Sequence, residues 1–294
     1  MTDLDQSCIL VTMNKLSAER RAAVVRSLVE GNSIRATVRM TGAAKNTVAK
    51  LLVDLGEACR EYQDRTLRDL TSQRVQCDEI WSFVGCKEKN IPEERRAEDG
   101  IGDVWTWTAM DADTKLMVSW LVGDRGPETA REFIADLSAR LAHRVQLTTD
   151  GHGVYLRAVE EAFGSDIDYA MLVKLYGQDG EGEKRYSPAV CIGAKKTRIQ
   201  GRPDPLHVST SYIERQNLTM RMGMRRFTRL TNAFSKKVEN HAAAVALHFM
   251  HYNFARPHQS LKEQPGVGRT PAMAAGIADH VWSVEEIVKL LDSN

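Results

Sequence analysis

The sequence predicts an α/β fold in which a mixed β-sheet is flanked by helices and preceded by an all-α segment. Residues 17–55 keep a helical hydrophobic period. From Val75 onward the pattern changes to three consecutive strand-like runs, which are followed by alternating helix and strand. Three sequential strands favour an antiparallel meander, and the alternation that follows favours helices on both faces of one sheet.

The N-terminal segment has the pattern of a helix-turn-helix. Ser17 is a candidate N-cap, Gly31 ends the first helix, and a turn at Thr41-Gly42 precedes a helix that runs to about Leu55. In DNA-binding proteins of this pattern the start of the last helix contacts bases and phosphates. The candidate contact residues are Lys45, Asn46, Thr47 and Lys50. A plain three-helix bundle is the structural alternative.

The rest of the chain divides by its composition. We expect a helix-turn-helix domain over 1–56, a charged helical linker over 57–74, an α/β domain over 75–262 and a tail over 263–294. Strand-like runs start near residues 75, 104, 117, 144 and 169, and helices are expected over 127–142, 154–163, 208–227 and 234–253. Residues 177–206 are rich in Gly, Pro and charge, which predicts a loop or insertion.

Composition excludes several classes of protein. The chain has 294 residues, of which 43% are hydrophobic, and no apolar run reaches the length of a membrane span. Its first residues lack the basic and apolar stretches of a secretory signal. The five cysteines are scattered and include no C-x-x-C pair, so neither a disulfide framework nor a structural zinc site is favoured. We therefore expect a cytoplasmic protein without a membrane partner.

Charge is concentrated in one segment. The formal net charge is only +1, but residues 184–229 contain eleven Lys or Arg against two acids, Asp204 and Glu214. Such asymmetry predicts an anionic partner at this segment, with a solvated basic face as the alternative.

Three carboxylates lie where they are costly or unusual. Asp78 interrupts the apolar run "VQCDEIWSFV", Asp150 ends the strand "VQLTTD", and Glu214 is an acid within the basic helix. A buried carboxylate is unfavourable unless it is paired or binds a metal. Taken singly, Asp78 would form a salt bridge, Asp150 a turn and Glu214 a surface ion pair. Together they match three carboxylates that hold two Mg²⁺ or Mn²⁺ ions for phosphodiester chemistry.

The chain resembles the DDE transposases with a ribonuclease-H-like core, most closely those of the insertion-sequence-1 family. The similar segments are "DEIWSFVG", "AMDADTK", "TTDGHGVY", "STSYIERQNLTMRMGMRRFTRLTNAFSKK" and "HYNFARPHQSL", which span roughly residues 76–262. The resemblance implies a ribonuclease-H-like sheet and a catalytic triad of Asp78, Asp150 and Glu214. Glu160 and Glu161 are rival third acids, because a predicted insertion precedes Glu214.

The basic helix predicts a DNA contact next to the triad. Asn217, Arg221 and Arg225 follow Glu214 at helical spacing, so they would share its face. Arginine offers bidentate contacts to phosphate. We expect these three residues to hold the DNA strand that leaves the site.

These observations predict a bacterial DNA transposase, associated with the nucleoid when bound to DNA. It would bind the double-stranded ends of its own element, hydrolyse a phosphodiester and join the 3′ hydroxyl to target DNA. Joining two ends requires at least a homodimer on DNA. Two alternatives are a ribonuclease-H-like nuclease that does not join ends and a non-catalytic helix-turn-helix regulator.

Overall fold

A six-stranded mixed sheet with strand order β3-β2-β1-β4-β5-β6 forms the centre of the computed structural model. The structure describes residues 16–96, 98–177, 191–228, 232–262 and 268–292. The strands are β1 Arg74–Val84, β2 Gly102–Asp111, β3 Met117–Gly123, β4 Gln146–Thr149, β5 Asp168–Tyr176 and β6 Cys191–Gln200. The helices are α1 Ala18–Val29, α2 Ile34–Thr41, α3 Lys45–Thr66, α4 Pro127–Arg140, α5 Val154–Phe163, α6 Ser211–Gly223, α7 Val238–Met250, α8 Pro271–Ala274 and α9 Val284–Lys289.

The sheet topology confirms the predicted fold class. Strands β1, β2 and β3 form an antiparallel meander. Strand β4 then pairs in parallel with β1, and β5 pairs in parallel with β4, each after a helical crossover. A mixed sheet of this kind, flanked by helices, is what the ribonuclease-H-like resemblance implies.

The structure corrects the loop that was predicted over 177–206. That range contains β6, which pairs antiparallel with β5 at the edge of the sheet. No residue of β6 is buried, so the strand lacks the apolar alternation by which a half-buried strand is recognised. Residues 178–190 of the predicted loop lie outside the described residues.

Helices α1, α2 and α3 follow the predicted helix-turn-helix pattern. The Ser17 hydroxyl accepts a hydrogen bond from the Arg20 N–H at the start of α1. Gly42, with a φ of 67°, ends α2 in the left-handed conformation that glycine adopts without strain. Helix α3 continues without a break through the boundary predicted between residues 56 and 57 and ends at Thr66. Residues 1–15 lie outside the described residues, and the domain boundaries stay a prediction.

The helix that was predicted over 208–227 is shorter than expected. Helix α6 ends at Gly223, and Met224 is extended, with φ −123° and ψ 110°. Arg225 therefore lies in a separate 3₁₀ turn, Arg225–Phe227, and not on the face of α6 that contains Glu214. The high cost of glycine in a helix accounts for the early end.

Two hydrophobic layers cover the sheet. One contains Trp107 and Leu147 from the strands, Phe133 from α4 and Tyr155 from α5. The other, on the opposite face, joins Ile80 and Met110 to residues of α6 and α7. Among the described residues, no helix is both long and apolar enough to cross a membrane.

Candidate active site

The parallel pairing of β1 and β4 brings Asp78 and Asp150 together. Gln76 of β1 is in register with Thr148 of β4, so the residues two positions further along each strand are level. Strand β4 ends at Thr149, and the Oδ1 of Asp150 accepts a hydrogen bond of 2.9 Å from the His152 N–H. One carboxylate oxygen from each of Asp78, Glu79 and Asp150 lies within 4.8 Å of the others. We call these three residues the carboxylate cluster.

Glu79 is a member of the cluster that the sequence analysis missed. Its Oε2 accepts hydrogen bonds of 3.2 and 3.3 Å from the Arg125 guanidinium, and a hydrogen bond with the Tyr155 hydroxyl acts to lower its pKa. Successive residues of a strand point to opposite faces, so Glu79 lies on the side of α5 and Asp78 on the side of α6. Two consecutive acids within an apolar strand were the signal that could have identified it.

Burial and mutual repulsion both disfavour the charged forms of the clustered carboxylates. Burial, and then the charges of Glu79 and Asp150, raise the pKa of Asp78 to about 7. Burial and the charge of Asp150 also raise the pKa of Glu79. A bound cation would remove this repulsion. Three carboxylates form an oxygen donor set that suits Mg²⁺ or Mn²⁺, so these residues fit the expected metal.

Asn217 lies beside the cluster and not on an exposed DNA-binding face. It is 2% exposed, and its Nδ2 donates a hydrogen bond of 2.8 Å to the Asp78 Oδ2. The predicted phosphate contact through this residue does not fit that burial. Asn217 instead fixes the orientation of Asp78 from α6, because a carboxylate held by a donor has fewer accessible rotamers.

Glu214, the predicted third acid, lies one helical turn before Asn217 but outside the carboxylate cluster. Its Oε2 forms an ion pair with the Lys174 ammonium of β5. Its Oε1 accepts a hydrogen bond of 2.6 Å from the Thr210 hydroxyl. The side chain is 35% exposed, so a change of rotamer is not prevented by packing.

The rival third acids are placed on the surface. Glu160 and Glu161 are both exposed on α5. Glu161 is held by Arg157 at 2.6 Å and by Arg131 at 3.0 Å, which makes it part of a surface ion-pair group. Neither acid belongs to the carboxylate cluster.

The remaining predicted DNA contacts lie in two places. Lys45, Asn46 and Lys50 are exposed and Thr47 is half-buried at the start of α3. Arg221 is half-buried near the end of α6, and Arg225 is exposed in the turn that follows. Their positions are compatible with contacts to DNA, which stay a prediction.

The chain is similar to a known protein of an insertion element. The chain is 27% identical to the insertion element iso-IS1n protein InsB of Shigella dysenteriae over 168 residues, which are 57% of this chain and 87% of that protein. No family model matches the chain.

The similarity to solved structures is weak, as two examples show. One is the piggyBac transposase in a synaptic complex with hairpin DNA, with a TM-score of 0.38, 10% identity, and coverage of 93% of this chain and 69% of that chain. The other is the Mos1 strand transfer complex, with a TM-score of 0.24, 11% identity, and coverage of 52% and 57%.

The sequence match shows similarity to a protein of an insertion element. Because the matched relative comes from an insertion element of the IS1 group, the match confirms the predicted similarity to the insertion-sequence-1 family.

Proposed function

We propose that the chain is a DDE-type transposase that cuts and joins DNA at its carboxylate cluster. The substrate would be the double-stranded ends of its own element and then target DNA. The reaction would be metal-dependent hydrolysis of a phosphodiester, followed by in-line attack of the freed 3′ hydroxyl. The observation that supports this proposal best is the convergence of Asp78 and Asp150 from two parallel strands on one point with a third carboxylate.

Asp78 and Asp150 would hold the divalent cation. When bound, two Mg²⁺ or Mn²⁺ ions would activate the attacking oxygen and stabilise charge on the leaving oxygen. Asn217 would keep the Asp78 carboxylate oriented toward the site, since its amide donates to Oδ2 at 2.8 Å. Arg125 would hold Glu79 from the opposite face of the sheet.

The third acid is either Glu214 or Glu79. The family resemblance favours Glu214, and its place one turn before Asn217 on α6 keeps it on the Asp78 side of the sheet. In that case Glu214 must leave Lys174, and a DNA phosphate could take its place beside the ammonium. Glu79 needs no rearrangement, because its carboxylate already lies in the cluster.

DNA would be held by elements on both sides of the site. The start of α3 would contact the element end through Lys45, Asn46, Thr47 and Lys50, while Arg221 and Arg225 would bind phosphates near the cluster. We expect a homo-oligomer, at least a dimer on DNA, because two ends must be joined. A bacterial cytoplasmic protein that binds the nucleoid fits this activity.

Replacing single carboxylates tests the proposal. Asp78→Asn and Asp150→Asn should each reduce cleavage and strand transfer by at least about 100-fold, since metal-dependent charge stabilisation is lost. Gel-based assays on an end-bearing duplex with Mg²⁺ would measure both steps. Binding of the same duplex should stay within a few-fold of wild type. Normal cleavage by either variant would contradict the proposal.

Glu79→Gln and Glu214→Gln, compared side by side, identify the third acid. The variant that loses cleavage identifies its residue as the third metal ligand. The other variant should lose much less of its cleavage rate. Glu160→Gln is the matched control, because this exposed acid lies on a neighbouring helix outside the cluster and should leave the rate unchanged.

The two alternatives give different results in the same assays. A nuclease without joining activity would cut the duplex but fail to join a pre-cut 3′ end to target DNA. A non-catalytic regulator would bind element ends and cut nothing at any Mg²⁺ or Mn²⁺ concentration.

A further inference from the structure

Three aromatic rings at the end of β1 form a row that is not part of a hydrophobic core. The centroids of Trp81 and Phe83 are 5.8 Å apart, and those of Phe83 and Phe234 are 5.1 Å apart. All three rings are half-buried, and within the described part of the chain none belongs to a cluster of buried hydrophobic residues. We call them the aromatic row. Half-exposed rings that contact one another offer flat apolar surface to a ligand.

A cleft of about 590 Å³ lies against Trp81, one ring of this row, and its lining contains three cations and two acids. Lys87, Lys89 and Arg96 line it together with Trp81, and the Lys87 ammonium lies 5.6 Å from the centre of the Trp81 ring. This volume is within the range of small-molecule sites.

Each of the two acids in the cleft accepts a hydrogen bond from the backbone N–H of the other. The Asp103 Oδ1 accepts a hydrogen bond of 3.0 Å from the Glu88 N–H, and the Glu88 Oε2 accepts one of 3.4 Å from the Asp103 N–H. Arg96 contacts Glu93 at 3.2 Å, while Lys87 faces an indole ring and not an acid. An anionic ligand in this cleft would pair with Lys87 and Lys89, while backbone N–H donors hold the carboxylates of Glu88 and Asp103.

The row lies along β1 from Glu79, on the α5 side of the sheet. Trp81 follows Glu79 by two positions on the same face of β1, which is about 7 Å along the strand. Trp105 lies opposite Trp81 on β2. The Arg125 guanidinium is 4.5 Å from the centre of the Trp105 ring and contacts Glu79 at 3.2 Å. A path of aromatic and cationic groups thus leads from the cluster to the cleft.

We propose that this cleft binds unpaired nucleobases of the DNA end, next to the phosphodiester that the cluster cuts. The proposal rests on the proposed function for its substrate. Sites for single-stranded nucleic acid combine aromatic rings, on which bases stack, with cations that follow the backbone. Trp81 lies about 7 Å along β1 from Glu79, which equals about two nucleotide steps of 3.4 Å along a duplex strand. A frayed or flipped base there would stack on Trp81 while Lys87 and Lys89 hold its phosphates.

Binding to two DNA ends tests this inference without any catalytic step. The full chain would be titrated, without divalent cation, with a blunt duplex end and with the same duplex bearing a three-nucleotide single-stranded overhang. Wild type should prefer the overhang, and Trp81→Ala should lose on the order of 10-fold in affinity for it. Affinity for the blunt duplex should not change. Trp81→Phe, which keeps a flat ring, should retain most of the preference.

A fluorescent base in the overhang reports stacking directly. We expect the fluorescence of 2-aminopurine at the second overhang position to fall on binding to wild type and not on binding to Trp81→Ala. Tyr176→Ala, which removes an aromatic ring that is 57% exposed at the far end of β5, is the matched control and should behave as wild type.

The outcomes separate this inference from the proposed function. Equal affinity of wild type and Trp81→Ala for the overhang would overturn the inference, even if cleavage remained dependent on Asp78 and Asp150. A Trp81→Ala variant that loses the blunt duplex to the same extent would also overturn it, because the ring would then support the fold. Cleavage that survives Asp78→Asn would overturn the proposed function and leave the stacking result standing.

Discussion

His241 shows how a single buried group makes the fold sensitive to acid. The ring is fully buried between two hydroxyls, with Nε2 3.2 Å from the Ser82 Oγ and Nδ1 2.9 Å from the Ser235 Oγ. Arg226 donates a hydrogen bond of 2.7 Å to the same Ser235 Oγ. Burial, and then the charge of Arg226, lower the pKa of His241 to about 3. The imidazole is therefore neutral in the folded protein at neutral pH.

The free energy of unfolding should fall as the pH drops from about 6.5 toward 3. In that window the unfolded chain binds a proton at His241 that the folded chain excludes, because the pKa is 6.5 in the unfolded state and about 3 in the folded state. The expected slope is about 1.4 kcal/mol per pH unit for this one group. Denaturant unfolding of wild type and His241→Gln between pH 7 and 4.5 would measure it.

The substitution should make the pH dependence shallower by about one proton, even where it lowers stability at pH 7. His143→Gln is the control, since His143 is exposed and lies away from this network. A slope that stays the same in His241→Gln would contradict the assignment.

At the scale of elements, the contact between α3 and α7 ties the helical segment to the α/β core. Gly56 lies at the crossing, where an added Cβ would be 2.5 Å from the Ala243 Cβ and carbonyl oxygen. About two helical turns further along α3, the Gln63 Nε2 donates a hydrogen bond of 3.3 Å to the Ala246 carbonyl. The glycine thus allows the two helix backbones to approach closely.

Gly56→Ala should destabilise the protein by about 1–3 kcal/mol, the usual cost of overpacking a core. Helix propensity alone predicts the opposite sign, since alanine is favoured over glycine by about 1 kcal/mol within a helix. Thermal unfolding decides between the two effects. Gly153→Ala is the matched control, because its φ is −62° and no atom lies within 4 Å of the added Cβ, so little change is expected. A more stable Gly56→Ala variant would mean that α3 and α7 are not in close contact.

At the scale of the whole molecule, one hydrophobic cluster extends from the first helix to the last. It contains Val24 of α1, Leu55 of α3, Leu147 of β4 and Ile287 of α9, all fully buried. The helix-turn-helix segment is therefore packed as part of the same core as the sheet. Cutting the chain at residue 56 would divide α3 and expose that core.

We expect a single cooperative unfolding transition. Calorimetry should give one peak whose van't Hoff and calorimetric enthalpies agree, as they do for a two-state protein. Removal of residues 1–56 should give a chain without a cooperative transition, because Val48, Leu51, Leu52 and Leu55 leave the core. Two resolved peaks in the full chain, or a truncated chain that unfolds cooperatively, would show instead that the helical segment folds independently.

The sequence by itself determined the order of the main elements other than β6, and two of the three clustered acids. Ser17 and Gly42 mark helix ends through local capping and φ preferences, which need no distant partner. Asp78 and Asp150 were predictable because a strand-borne acid in an apolar run and an acid at a strand end are both visible in the local pattern, and parallel strands bring such ends together.

Only the tertiary structure decided what surrounds those two residues. Glu79 belongs to the cluster because of its side-chain direction, which the sequence does not show. The hydrogen bond from Asn217 to Asp78 and the ion pair of Glu214 with Lys174 both join residues on different elements. Strand β6 was not predicted, because an exposed edge strand is defined by its backbone pairing with β5 and has no buried face to impose a period. Local preferences fix elements and their ends, whereas packing between elements fixes which side chains meet.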